Sequence, residues 1–164
     1  MAADEIAHMF RKEGVNHFMI DISGEILFSG QKSEKHWWVA GVETPQDSLQ
    51  KKLALAFNVK DEAVATSGTY RQFYDEAGQR RSHIIDPRTG KPVAHRTVSV
   101  TVMAPTCAAA DALSTALLVL GEDQGMSLAK KLDLKVVLQL SSGGQTQLLI
   151  SPAMENYLKL HKFE

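Results

Sequence analysis

The run Cys107 to Gly121, CAAADALSTALLVLG, carries one charge, Asp111, in a stretch that is otherwise apolar or small. A helix of this composition has to be packed, and an ionised carboxylate on a packed helix is costly unless a cation or several donors meet it. One turn on, at i+4, stands the hydroxyl of Thr115, with Ser114 beside it, so the oxygens of Asp111 and Thr115 project from one face. Carboxylate plus hydroxyl oxygens suit a hard cation such as Mg2+, which often holds substrate phosphates. The same residues allow a plainer reading. Asp111 would then accept from a neighbouring loop, and Thr115 would bond the backbone carbonyl one turn back.

With 164 residues, of which 44% are hydrophobic and 23% charged, the chain is sized and composed for one domain with a real core. A net charge of -1, with basic residues scattered, leaves no electrostatic footprint for nucleic acid. Cys107 is the one cysteine, which excludes an internal disulfide; in a small-residue stretch it reads as a packed thiol. The opening MAADEIAHMF has neither the basic start nor the apolar core of a signal peptide. The apolar run Ala112 to Gly121 falls short of the roughly 18 residues of a membrane span.

Helical spacing of Ile6, Met9 and Phe10 predicts a helix over Ala2 to Glu13, stopped by Gly14. HFMIDIS and EILFSG form a predicted hairpin around Ser23-Gly24. HWWVAGVETP, KLALAFN, EAVATSG and TYRQFYDE follow as strands, with Glu76-Ala77-Gly78 as a turn. RRSHIIDPRTGKPV runs from a strand into a tight loop at Asp86 to Pro92, and RTVSVTVMAP is a β segment. Pro105 and Thr106 cap the helix carrying Asp111, and a second helix is predicted over Gly125 to Leu132. Strands KVVLQL and QTQLLI flank a turn at Ser141 to Gly144. The terminal helix SPAMENYLKL has Ser151 as cap and Pro152 at its first position. Helices and strands do not alternate regularly, so the class is α+β. The chain starts directly inside an amphipathic helix, as a protein cut at an internal boundary would, and the apolar face there is expected to favour homo-oligomers.

Three further features invite chemistry. His83, in SHIIDPRTGKP, has an unperturbed pKa near neutrality and can move a proton, although a histidine at a strand end is commonly structural. Pro87 and Gly90 explain that loop as a turn, and Arg88 either meets phosphate oxygens in a planar fork or is solvated. Thr66, Ser67 and Gly68 in ATSGTY are small enough for a ligand to approach the backbone. Trp37 and Trp38 should point to opposite faces of a strand, one of them into the core. No GxGxxG, P-loop, HExxH or paired CxxC is present.

Four blocks in order, MIDISGEI, VATSGTYRQFY, SHIIDPRTGKPV and VSVTVMAPTCAAADALSTALLVLG, resemble the ApbE family of FAD:protein FMN transferases, from Ala2 to the C-terminus. The resemblance implies a T-fold-like α+β architecture, a mixed antiparallel sheet with packed helices. It also implies a Mg2+-dependent reaction on FAD, in which FMN passes to a Ser or Thr hydroxyl of a target flavoprotein and AMP leaves. Carried over by motif, Asp111 and Thr115 resemble the Mg2+ ligands. Ser114 holds a position where some relatives bring another carboxylate, implying weak or water-mediated contact. His83 resembles the catalytic histidine and Ile85 a position lining the flavin site, with Thr66 and Ser67 assigned to the same ligand. The implied partners are flavoproteins such as subunits of a sodium-pumping or electron-transport complex. The implied location is the periplasm, with a lipoprotein anchor.

Two departures qualify that expectation. The family's D-x-G-G-[ND] reads Asp21-Ile22-Ser23-Gly24-Glu25 here, a larger and more acidic turn. Family members are also about twice this length, with a first half that brings a D-L-x-x-x-x-K-G-Y-A stretch, the secretion signal, ligand surface and a backbone ligand to the metal. Residues 1–164 are therefore expected to be the C-terminal portion of such a transferase domain. Two other functions remain open: a non-catalytic remnant binding flavin or Mg2+, and a metal-dependent hydrolase of the FAD pyrophosphate or of another nucleotide.

Overall fold

Eight-residue runs of Val, Thr and Leu and a long small-residue helix arrange themselves as an antiparallel sheet with cover on both faces. The computed structural model describes residues 1–45, 52–69, 73–76, 79–143, 145–161 and 163. In chain order the elements are α1 (Ala2–Lys12), β1 (Phe18–Ile22), β2 (Glu25–Ser29), β3 (Trp38–Glu43), β4 (Leu53–Val59), β5 (Ala63–Gly68), β6 (Phe73–Glu76) and β7 (Gln79–Ser82). Then come β8 (Ile85–Asp86), β9 (Lys91–Pro92), β10 (Thr97–Ala104), α2 (Cys107–Lys131), β11 (Lys135–Ser142), β12 (Gln145–Ile150) and α3 (Pro152–Leu160). Six strands form the main sheet in the order β1-β2-β5-β10-β11-β12, antiparallel at every described pairing, as the α+β architecture with an antiparallel sheet and packed helices implied. The remaining strands are two-stranded ribbons β3-β4, β6-β7 and β8-β9.

The period-2 alternation of the strands decides what each face buries. On one face Ala63 and Ala65 pack with Ala3, Ala7 and Cys107, while Val100, Val102 and Leu138 pack with Leu117 and Leu118, so α1 and α2 cover this side. On the other, Phe28, Val64, Met103 and Val137 meet Phe57 and Val42 of the β3-β4 ribbon and Met154 of α3. Local chemistry sets the ends. Ser23 and Gly24, at φ 57° and 99°, make the tight turn between β1 and β2, and Ser151 accepts from Met154 N–H at the start of α3.

Two expectations need correction. The helix predicted to begin at Gly125 starts earlier: α2 runs from Cys107 to Lys131 and is broken only at Gly121, whose φ of 76° and ψ of -173° lie outside helical geometry. A Cβ at Gly125 would stand 3.0 Å from the Leu117 carbonyl oxygen, so this glycine lets the second segment fold close against the first and does not start it. Trp37 and Trp38 are both half-buried, and neither is wholly core: Lys60 stands over the Trp37 ring, and Trp38 Nε1–H donates to the Ser29 carbonyl. Tyr70 to Gln72, the Ala77-Gly78 pair of the predicted turn and Gly144 lie outside the described residues. Among the described residues no helix is long and apolar enough to cross a membrane.

Candidate functional site

Helix α2 starts with its backbone donors already taken. Thr106 Oγ1 accepts from Ala109 N–H at 3.2 Å, and Asp4, from α1, accepts from Cys107 N–H at 2.8 Å and Ala108 N–H at 3.1 Å. An anion at this helix start would compete with a carboxylate of the chain itself, so the terminus is not available as a phosphate cradle. Asp4 was not legible as a cap in the sequence, because its partners lie more than a hundred positions away.

The buried stripe Cys107, Ala110, Ser114, Leu117, Leu118 faces the sheet. Asp111 stands half-buried on its flank and Thr115 is exposed beside it, one turn on. Among the described residues no hydrogen bond or ion pair reaches the Asp111 carboxylate. Glu25, just after the β1-β2 turn, has its carboxyl pushed up first by burial and next by the Asp111 charge, with Asp21 adding to it. Cys107 lies between the same groups, and burial, Asp4 and Glu25 push its thiol up to about 11, which suits a packed thiol and not a nucleophile. Two neighbouring carboxylates without a cation are electrostatically unfavourable.

Three hydroxyls complete this flank. Ser67 Oγ of β5 lies 2.8 Å from Ser114 Oγ and 2.8 Å from Thr115 Oγ1, and Ser114 Oγ–H donates to the Asp111 backbone carbonyl at 3.0 Å. The back-bond along the helix is thus made by Ser114. Fully buried and hydrogen-bonded on both sides, Ser114 is ill placed for the metal contact expected of it, even through water. Thr66 also departs from expectation. Alternation along β5 turns it to the opposite face, where its hydroxyl meets Thr101 Oγ1 at 2.8 Å, so it does not share a flank with Ser67.

His83 is exposed and follows β7, in the segment leading into the β8-β9 ribbon. The next residue anchors it: Ile84 N–H donates to Ser82 Oγ, Val93 N–H donates to the Ile84 carbonyl, and the Ile84 side chain packs in the cluster with Leu113 and Leu117 of α2. Ile85 is 45% exposed, opposite Pro92. Arg88 is not a free fork. Its Nε and Nη2 bind both Asp86 oxygens, and Nη1 donates to Gln124 of α2 at 2.9 Å. The hydrogen bonds from Arg88 hold the Asp86 carboxyl below its ordinary range.

The structure therefore gathers Asp111, Thr115, Ser67, Ser114 and Glu25, with the His83 segment packed against the same helix. Among the described residues no three His, Cys, Asp or Glu side chains come together as a metal cage. The donor set is instead one or two carboxylates plus a hydroxyl, which fits Mg2+, an ion that keeps several waters and takes substrate phosphates as further ligands. Glu25 was visible in the sequence only as an unusual turn residue.

A profile of the ApbE family matches residues 1–138. The chain is 32% identical over 161 residues to the FAD:protein FMN transferase of Escherichia coli (strain K12), covering 98% of this chain and 46% of that protein. It is 38% identical over 135 residues to the FAD:protein FMN transferase of Vibrio cholerae serotype O1, covering 82% of this chain and 40% of the relative. Among solved structures it resembles the flavin transferase ApbE from Vibrio cholerae, with a TM-score of 0.81 at 32% identity over 94% of this chain and 48% of that one. The ApbE protein of Thermotoga maritima gives a TM-score of 0.81 at 29% identity, over 95% and 50%. The chain spans about half the length of the curated relatives it matches. Its sequence and its antiparallel α+β fold together establish that it belongs to the ApbE family.

Proposed function

We propose that the chain carries the cation-binding and proton-accepting groups of an FAD:protein FMN transferase, acting with Mg2+ on FAD and on a Ser or Thr hydroxyl of a target flavoprotein. The observation that carries this reading is the Asp111 carboxylate, reached by no hydrogen bond or ion pair among the described residues, beside the Thr115 hydroxyl on a helix whose own start is closed to phosphate. The names of the relatives support flavin transfer as the chemistry.

Asp111 and Thr115 would hold the ion, which supplies charge neutralisation and in-line orientation at the pyrophosphate. The acceptor hydroxyl oxygen forms a bond to the FMN-side phosphorus. The bond from that phosphorus to the bridging oxygen breaks, and AMP departs with the electron pair. His83, exposed at the end of its anchored segment, takes the hydroxyl proton. Ile85, half-exposed two residues on, offers an apolar surface for the flavin ring. Periplasmic flavoproteins of sodium-pumping or electron-transport complexes are the acceptor class this reading names.

An exposed His83 could deprotonate water equally well, which keeps FAD pyrophosphate hydrolysis as a second reading. Incubating the chain with FAD, Mg2+ and an acceptor flavoprotein subunit, followed by mass spectrometry, separates the two. Transfer adds one FMN mass to the acceptor and releases AMP. AMP and FMN released with no adduct would establish hydrolysis. No product, with metal bound, would mark a non-catalytic remnant.

A further inference from the structure

The hydroxyl chain on the α2 flank has a fixed direction, which follows from counting protons. Each serine or threonine hydroxyl has one hydrogen to donate and lone pairs to accept with. A backbone carbonyl can only accept, so Ser114 commits its hydrogen to the Asp111 carbonyl, 3.0 Å away. The 2.8 Å contact between Ser114 and Ser67 must then be donated by Ser67. With its single hydrogen used there, Ser67 can only accept across the other 2.8 Å contact, so Thr115 is the donor. The order is Thr115 to Ser67 to Ser114 to the Asp111 carbonyl. Thr115 Oγ1 is left with lone pairs alone for the flank it shares with the Asp111 carboxylate. A cation ligand needs that state, because a hydroxyl hydrogen turned toward the ion would repel it.

We propose that Ser67 is a positioning residue for cation binding, fixing the Thr115 hydroxyl as a pure acceptor, with Ser114 as the anchor of the chain. The inference rests on the Mg2+ reading of Asp111 and Thr115. It gives the small residues of VATSG a task across the sheet-helix interface instead of a direct ligand contact. Outer partners of this kind typically change metal affinity by about 10-fold to 100-fold.

The test is Mn2+ binding to the 164-residue chain, read by electron paramagnetic resonance of the free ion, with no substrate present. Ser67→Ala should weaken binding on the order of tenfold. Thr115→Val should weaken it at least as much, and Ser67→Ala added to Thr115→Val should cost nothing further, because the serine acts through the threonine. A merely structural serine would weaken both backgrounds alike, and that result, or unchanged binding in Ser67→Ala, overturns the inference. Ser114→Ala is the second variant should Ser67→Ala fold poorly: the freed Ser67 hydrogen then turns to Thr115, and binding should fall too. Asp111→Asn separates the premises. Wild-type binding in that variant, or no Mn2+ bound by the unaltered chain, would remove the metal reading itself. Binding lost in Asp111→Asn but kept in Ser67→Ala would sink the role of Ser67 alone.

Discussion

Helix α2 borders two carboxylate neighbourhoods that are built on opposite terms. Beyond the break at Gly121, Glu122 accepts from Arg96 Nε and from the Thr97 hydroxyl, both at 3.0 Å; burial opposes its ionisation, but these bonds and its own backbone N–H hold its carboxyl below the ordinary range. Asp86 likewise lies in the fork of Arg88. Before the break, the Glu25 carboxyl is pushed up by burial and then by the Asp111 charge, and among the described residues no hydrogen bond or ion pair reaches the Asp111 carboxylate. The first pair is closed and structural. The second is an electrostatic deficit that a bound cation would relieve. The difference teaches that along one helix a carboxylate met by donors is tied into the fold, whereas one without them is the candidate for the proposed cation.

The most direct way to break this contrast is to neutralise one carboxylate from each side. Asp111→Asn should lower Mn2+ affinity by more than about a hundredfold, beyond the loss of an outer partner, while leaving the metal-free fold at least as stable. Glu122→Gln should do the reverse, costing about 1 kcal/mol of stability, since Arg96 is largely exposed, with metal binding intact. Isothermal binding and thermal denaturation on both variants read the two effects. Metal affinity that fell as far in Glu122→Gln would show the division to be false.

Gly121, the joint between the two neighbourhoods, should give the next largest effect. Its φ of 76° with ψ of -173° belongs to a region that only glycine occupies readily, and a Cβ would come within 2.7 Å of the His95 ring. Gly121→Ala should cost about 3 kcal/mol, a fall in Tm on the order of 10 °C. A calorimetric Tm within a degree of wild type would mean that the two helical segments are not rigidly set by this residue.

How much of this was legible depended on whether the cause was local. The caps at Thr106 and Ser151, the turn at Ser23-Gly24 and the strand TVSVTVMA each need only neighbours in sequence, and all were readable. The Asp111/Thr115 flank was readable because i+4 geometry is fixed by the helix. Asp4 at the start of α2, Glu25 beside Asp111 and Ser67 against Thr115 were not, because each depends on how separate elements meet across the sheet. Thr66 and Ser67 show the limit within a single motif: adjacent small residues look equivalent in sequence, and one strand position sends them to opposite faces. Gly121 and Gly125 show another. Two glycines four apart suggest a gap between helices, and only the packing of the second segment on Leu117 reveals which of them breaks the geometry.

Acid titration of the metal-free, chelator-treated protein should give the smallest effects, and with opposite signs on the two sides. Glu25 has a folded pKa raised above its unfolded value, so the folded state holds the proton more tightly, and stability rises slightly as pH falls through the folded value. Asp86 and Glu122 have folded values lowered, so their contribution is present above the unfolded carboxylate range and is lost as pH falls toward their folded values. Chemical denaturation at a series of pH values should therefore show a shallow maximum on the acid side of neutrality, followed by a decline. Glu25→Gln should remove the rise and leave the decline, because Gln carries no charge to set against Asp111. A rise that survived Glu25→Gln would place the repulsion elsewhere, and the proposed cation site on the Asp111 flank would lose its electrostatic support.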